Sequence, residues 1–264
     1  MRIISILCLL LFVTFYPVIC YGDIGELQAK LIAETTTKET FTHNKSLPLR
    51  VHRREDLEDN VFSFQRKIIG KIAKAVYIFE VTNVGHFVIS PEDSIYVGSS
   101  DGQQKWLVAI SINSGQPYKL FGFKNAEEEF NKLIESADIV ISTSERVQLY
   151  TYLYFNLVVD LDSTTLLFSN RDLKHKSEDI FFTYNPEKKA QKLYRDWWSR
   201  FIKAKLLIED VQMSNYTNSD IGIYTVNFFS LDSSIERIPQ ITSWTLHFTQ
   251  KGTILNKETK IVFR

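Results

Sequence analysis

NPEKKAQKLYRDWWSRFIKAK, Asn185 to Lys205, is the stretch from which the architecture of this chain is read. Asn185 is a good N-cap, because its side chain can accept from an early helical N–H that lacks a partner inside the helix. Pro186 follows at the first helical position, where its missing N–H costs nothing and its fixed φ suits the helix. Glu187 in the first turn and Lys203 and Lys205 in the last complement the helix dipole. Ala190, Leu193, Tyr194, Trp197, Phe201 and Ala204 recur at three- and four-residue spacing, one apolar stripe of period 3.6. Asp196 and Arg200 stand at i,i+4 and can pair. The opposite face carries Lys188, Lys192, Arg195, Ser199 and Lys203. Such a face can meet anions or lipid headgroups. The ordinary role of an amphipathic helix is to set its stripe on a core, and the strands that follow it offer Trp244, Leu246 and Phe248 as a face to receive that stripe.

Those strands are marked by alternation. In Ile241 to Thr249, Trp244, Leu246 and Phe248 point one way and Ser243, Thr245, His247 and Thr249 the other, the pattern of a half-buried antiparallel strand. Leu206–Met213, Ile221–Phe229 and Ile254–Phe263 are its expected neighbours. Upstream, the period changes to that of helices. Asn125 with Glu128 three residues on has the form of a capping box for a helix through Ser136. Ser142 or Thr143 caps a further helix running towards Val159, and Asn170–Phe182 is helical in pattern. Further back, Ala75–Val81, Lys105–Asn113 and Tyr118–Phe123 have the β-branched and aromatic content of strands. Asp101-Gly102 and Ser114-Gly115 punctuate them as turns.

The fold class read from this order is α+β: an N-terminal antiparallel meander over 75–123, a helical group over 125–205, and a C-terminal antiparallel sheet over 206–263 packed on helix 186–205. Helices followed by a long-stranded meander resemble the NTF2-like and cystatin-like cone folds, which host enzymes and binding proteins alike. Asp23 to Asn60, with its polar run Glu34–Thr40 and mixed charges His52–Asp56, reads as a polar, weakly structured lead-in to the globular region 61–264. Gly25–Ala33 within it has the makings of a short helix.

Residues 1–22 differ from everything after them. Arg2 is the sole charge and Ile3–Cys20 is an almost unbroken apolar run. This is the pattern of a secretory signal peptide, with small Gly22 at the expected cleavage point. Retention as an N-terminal anchor is the alternative, since the run is close to spanning length. That retained segment is the expected route to a membrane. Pro17-Val18-Ile19 does not supply the small residues a lipoprotein signal needs before Cys20. The expected location is therefore secreted or periplasmic. Both cysteines, Cys8 and Cys20, lie inside this segment. A cleaved chain then has no disulfide, no thiol chemistry and no Cys-ligated zinc, and its stability must come from its core. The formal net charge is zero, so no global basic excess argues for nucleic acid.

Catalytic signatures are few. The five histidines show no H-E-x-x-H spacing, and neither a G-x-S-x-G elbow nor a phosphate-binding Gly-rich loop is present. The sharpest local motif is Leu157-Val158-Val159-Asp160-Leu161-Asp162-Ser163-Thr164-Thr165-Leu166. It resembles the first motif of the haloacid-dehalogenase-like phosphatases. That resemblance implies Asp160 as nucleophile and Asp162 as acid/base, both helping to hold magnesium for phosphoryl transfer. It covers about ten residues, and the downstream chain lacks the alternating strands and helices of that family's parallel sheet. The alternative is that Asp160, Asp162 and Ser163 end a helix and turn the chain. The expectation carried forward is a non-catalytic binding or interaction protein, without cofactor, using a pocket between the helices and the C-terminal sheet; the phosphatase is its rival. Asn44-Lys45-Ser46 and Asn215-Tyr216-Thr217 are glycosylation sequons, meaningful at Asn44 and Asn215 in a eukaryotic secretory route.

Overall fold

A computed structural model of the protein describes residues 23–40, 48–61, 76–84, 104–137, 139–159, 164–175, 195–197, 199–201, 203–215, 222–232 and 240–264. The chain is α+β, with two antiparallel sheets. In the N-terminal sheet, β1 (Leu49–Arg53), β2 (Val76–Asn83), β3 (Lys105–Ser111) and β4 (Pro117–Lys119) lie in the order β1-β2-β3-β4. The C-terminal sheet holds β5 (Thr164–Leu167), β6 (Gln212–Asn215), β7 (Gly222–Asp232), β8 (Gln240–Thr249) and β9 (Ile254–Phe263). Its order is β5-β7-β8-β9, with β6 also paired to β7. Three helices are α1 (Glu26–Lys38), α2 (Ala126–Ser136) and α3 (Ser144–Tyr154), and α3 runs on into a π-helical turn, Phe155–Val159. Residues 55–61 and 170–175 are also helical, as are the described residues of 195–204.

Side-chain alternation decides what lies on each sheet face. On the N-terminal sheet, Phe79, Val81, Trp106, Val108 and Ile110 share one face and pack against Ala29 and Ala33 of α1. Small residues at i,i+4 let that helix approach closely. Ile78, Leu107 and Ala109 lie on the other face and join α2, α3 and the C-terminal sheet in one continuous core. That core takes Phe130, Leu133 and Ile134 from α2, Tyr150 and Tyr154 from α3, and Tyr224, Val226, Phe228, Leu246 and Phe248 from β7 and β8. The central helices therefore lie between the two sheets.

The described residues of 195–204 cover the opposite face of the C-terminal sheet. Trp197 and Phe201 stack in parallel, and each meets the ring of Phe263 edge-on, at 5.3 and 5.8 Å between centroids. Leu167, Leu173, Ile208, Phe229, Leu231 and Ile241 complete this second core. The sheet thus packs on the described part of the expected helix, but by a different face from the one read in the sequence. Trp244, Leu246 and Phe248 point to α2 and α3 instead: Phe248 lies 4.6 Å from Tyr150, and Trp244 lies 5.1 Å from Phe155. The pleat is the reason. Ile241 stands an odd number of residues from Trp244 and Phe248, so its side chain leaves by the other face.

Two further readings change. The described residues of the stretch 23–60 form α1, β1 and most of the helical run 55–61 rather than a weakly structured lead-in. Its Thr run misleads because Thr36 and Thr37 are buried on α1, and the Thr37 hydroxyl is satisfied by donating to the Ala33 carbonyl at 2.9 Å. Residues 206–211 are not a strand; pairing begins only at Gln212. At α2, Asn125 precedes the helix as expected, but its side chain makes no capping hydrogen bond. Thr143 does cap α3, accepting from the Arg146 N–H. The expected turn at Asp101-Gly102, the start of helix 186–205, and residues 176–182 of the expected helix Asn170–Phe182 lie outside the described residues.

Candidate functional site

The interface between the central helices and the C-terminal sheet is filled with rings. Phe130 lies 5.3 Å from Tyr154 and 5.8 Å from Tyr150, and Tyr224 lies 5.7 Å from Phe248. Trp244 stacks on Phe228 and donates its indole N–H to the Ser230 hydroxyl at 2.7 Å. The Tyr150 hydroxyl donates to the Gly252 carbonyl, and burial pushes its ionisation far up. Among the described residues, these side chains pack the helix–sheet contact.

The polar features lie elsewhere. On the outer face of the C-terminal sheet, one half is covered by Trp197 and Phe201, and the other half is built of polar residues. The register sets Asn227 opposite Thr245 and Thr225 opposite His247. The Thr245 hydroxyl donates to Asn227 Oδ1 at 2.8 Å, and Asn227 Nδ2 donates to Glu209 Oε2 at 3.3 Å. Thr225 Oγ1 and His247 Nδ1 lie within hydrogen-bonding distance, at 2.9 Å. Thr225, Asn227, Thr245 and His247 are all half-buried. The Asn227 amide is thereby held from both ends. A row of hydroxyl, amide, carboxylate and imidazole groups, fixed in orientation by cross-strand partners, presents donors and acceptors without having to reorganise. Sequence reading placed Thr245 and His247 on this face and missed Thr225, Asn227 and Glu209. The period-two pattern Ile223-Tyr224-Thr225-Val226-Asn227-Phe228 was the available signal for the first two. Nothing local marks Glu209, which comes from the irregular segment before β6.

Two charged clusters serve the framework. In the first, Glu58 is 3% exposed and receives Arg53 through both carboxylate oxygens, while it also accepts from the Ile78 N–H at 2.9 Å. Arg53 reaches on to Glu26 of α1 at 2.9 Å. Beside it, Arg54 bridges Asp56 and Glu80, and Lys105 approaches Glu80 at 3.4 Å. The hydrogen bond from Arg54 holds the Asp56 carboxyl below its usual range, and the carboxylates around both arginines raise the guanidinium values. In the second cluster, the Tyr154 hydroxyl donates to Glu127 Oε2 at 2.8 Å, and Lys257 donates to the same oxygen at 2.6 Å. Burial, then the nearby Glu127 charge, raises the Tyr154 phenol well above its ordinary value. This cluster ties α2 and α3 to β9.

Asp160, Asp162 and Asn44 lie outside the described residues. What flanks the two aspartates is described: the chain before them is helical through Val159, and β5 after them pairs antiparallel with β7. Asn215 ends β6, with its backbone opposite Gly222. Among the described residues, no group of three or more His, Cys, Asp and Glu side chains is placed to hold a metal ion, and no helix is long and apolar enough to cross a membrane. No family model, curated protein or solved structure matches the chain.

Proposed function

We propose that this is an exported, non-catalytic binding protein, and that the polar half of the outer sheet face is its ligand surface. The observation that carries this reading is Asn227, held between Glu209 and Thr245 in a half-buried position beside the Thr225–His247 pair. Such an array suits a polar, uncharged ligand that exchanges several hydrogen bonds at once. The helical run-up to Asp160 and the antiparallel pairing of β5 after it, in place of the parallel sheet that the phosphatase resemblance implies, favour binding over phosphoryl transfer.

A thermal-shift titration against a panel of neutral oligosaccharides and extended peptides tests the proposal. Binding by the native chain that is lost in Asn227→Ala and Thr245→Ala, and kept in Asp160→Asn, is the expected result. Magnesium-dependent phosphate release from an aryl phosphate, abolished by Asp160→Asn, would sink it in favour of the enzyme.

A further inference from the structure

The outer edge of β9 is the feature that neither the cores nor the polar face explain. Among the described residues, β9 ends the C-terminal sheet on one side. Leu255 to Ile261 are exposed without interruption, and Leu255 and Ile261 are each 52% accessible. Successive strand residues point to opposite faces, so this strand is solvated on both of them. An edge strand of this length is a template for another strand.

One end of the edge is closed by the protein itself. Asn131 of α2 accepts from the Ile254 N–H at 2.9 Å and donates to the Ile254 carbonyl at 3.4 Å, as a neighbouring strand would. Beyond that cap the run Asn256–Ile261 pairs with β8 in unbroken register, between irregularities at its two ends. Open edge, regular pairing and uninterrupted exposure therefore coincide over these six residues.

We propose that a second copy of this chain pairs antiparallel with this run, continuing the sheet across a twofold axis at Thr259. The charges select that axis. A twofold that joins two antiparallel edges in one sheet stands perpendicular to it, so opposed residues come from the same face. An axis at Lys257, Glu258 or Lys260 sets that residue against its own like charge. An axis at Thr259 sets Thr259 against itself, Glu258 against Lys260 twice, and Lys257 against Ile261 twice. Thr–Thr and opposite-charge pairs stabilise cross-strand contacts, and like charges oppose them. Charged edges ordinarily discourage indiscriminate pairing; here the same charges permit one register and penalise its neighbours.

Sedimentation equilibrium of the full chain, with charge-swap variants, tests this. The expected result is a reversible dimer, weakened about tenfold or more by Glu258→Lys or by Lys260→Glu, which each oppose like charges twice. The double variant Glu258→Lys/Lys260→Glu restores the dimer to near its native strength. Because both side chains are exposed in the single chain, circular dichroism stays unchanged throughout. Thr259→Cys, in a background with Cys8→Ser and Cys20→Ser, gives an independent readout. Opposed Cα atoms about 4.5–5.5 Å apart fall within disulfide range, so an interchain cross-link forms on oxidation. A native chain that stays monomeric at several hundred micromolar, or that pairs only with a different protein, overturns the proposal. So does a double variant as weak as the singles.

Discussion

Asn170 and Ile208 are joined by two hydrogen bonds although 38 residues separate them: Asn170 Oδ1 accepts from the Ile208 N–H at 2.7 Å, and its Nδ2 donates to the Ile208 carbonyl at 3.2 Å. The side-chain amide stands in for a strand that the irregular segment 206–211 lacks. It fixes the backbone beside the core that Trp197 and Phe201 make with the C-terminal sheet. Asn170→Ala removes the side-chain partners of both the N–H and the carbonyl of Ile208. The expected cost is about 1–3 kcal/mol, the range for leaving such groups unpaired. Urea denaturation checks this, and a change within error would mean that water replaces the amide without loss.

Tyr154 and Lys257 share one oxygen of Glu127. The phenol is buried and the lysine is partly exposed, so their contributions are unequal. Tyr154→Phe leaves a charged acceptor with one partner fewer and is expected to cost about 1–2 kcal/mol. Lys257→Met removes a partly solvated ion pair and is expected to cost under about 1 kcal/mol. Equal losses in the two variants by chemical denaturation would contradict this ranking.

Gly122 occupies φ +86°, and a Cβ there would stand 2.5 Å from the Lys105 carbonyl oxygen and 2.8 Å from Trp106 Cδ1. Its neighbour Phe121 donates its N–H to the Leu157 carbonyl of the π-helical turn at 2.8 Å, which staples the N-terminal sheet to the central helix. Gly122→Ala therefore meets the Lys105 backbone as well as the buried Trp106 ring. A loss of about 2 kcal/mol or more is expected, from left-handed strain plus displacement of Trp106. A thermal melt unchanged from the native chain would show that the turn can shift freely.

These features differ in how far the sequence reveals them. Alternation in Ile241–Thr249 and the 3.6 period of Phe130, Leu133 and Ile134 are local, and the strands and helices follow from them. Which face of a two-sided sheet meets which helix is a tertiary choice. Ile241, Leu231 and Phe263 form a compact apolar cluster only after β7, β8 and β9 are in register, so alternation alone does not fix the partner of Trp197. The Thr-rich part of α1 read as polar because hydroxyls that donate back to helical carbonyls have no signature in composition. The polar row was half legible, since period two places Asn227 and Thr225 on one face, but the approach of Glu209 depends on the path of an irregular segment. Asn131 and Asn170 look like ordinary helix-surface residues until the distant backbone they bind is known.

Acid sensitivity follows from Asp56. Arg54 donates to Asp56 Oδ1 at 2.9 Å and to Oδ2 at 3.0 Å, two residues away in the chain and at the start of the helical residues 55–61. This pairing lowers the aspartate below its ordinary 3.8 in the folded state. A carboxyl with a depressed folded value binds protons more readily when unfolded. Its contribution is thus fully present above the ordinary value and is lost as pH falls through the lower folded one. Asp56→Asn removes the charge and the titration together. The side chain is largely exposed, so the effect at neutral pH is modest, but its pH dependence is distinctive. The stability gap between native chain and Asp56→Asn is expected to be constant from about pH 7 to about pH 5, and to close as pH falls below the ordinary carboxyl value of 3.8. Urea unfolding across that range checks it. A gap that persists at the acid end would show that the variant acts through packing or helix capping and that the Arg54 pair carries no linkage.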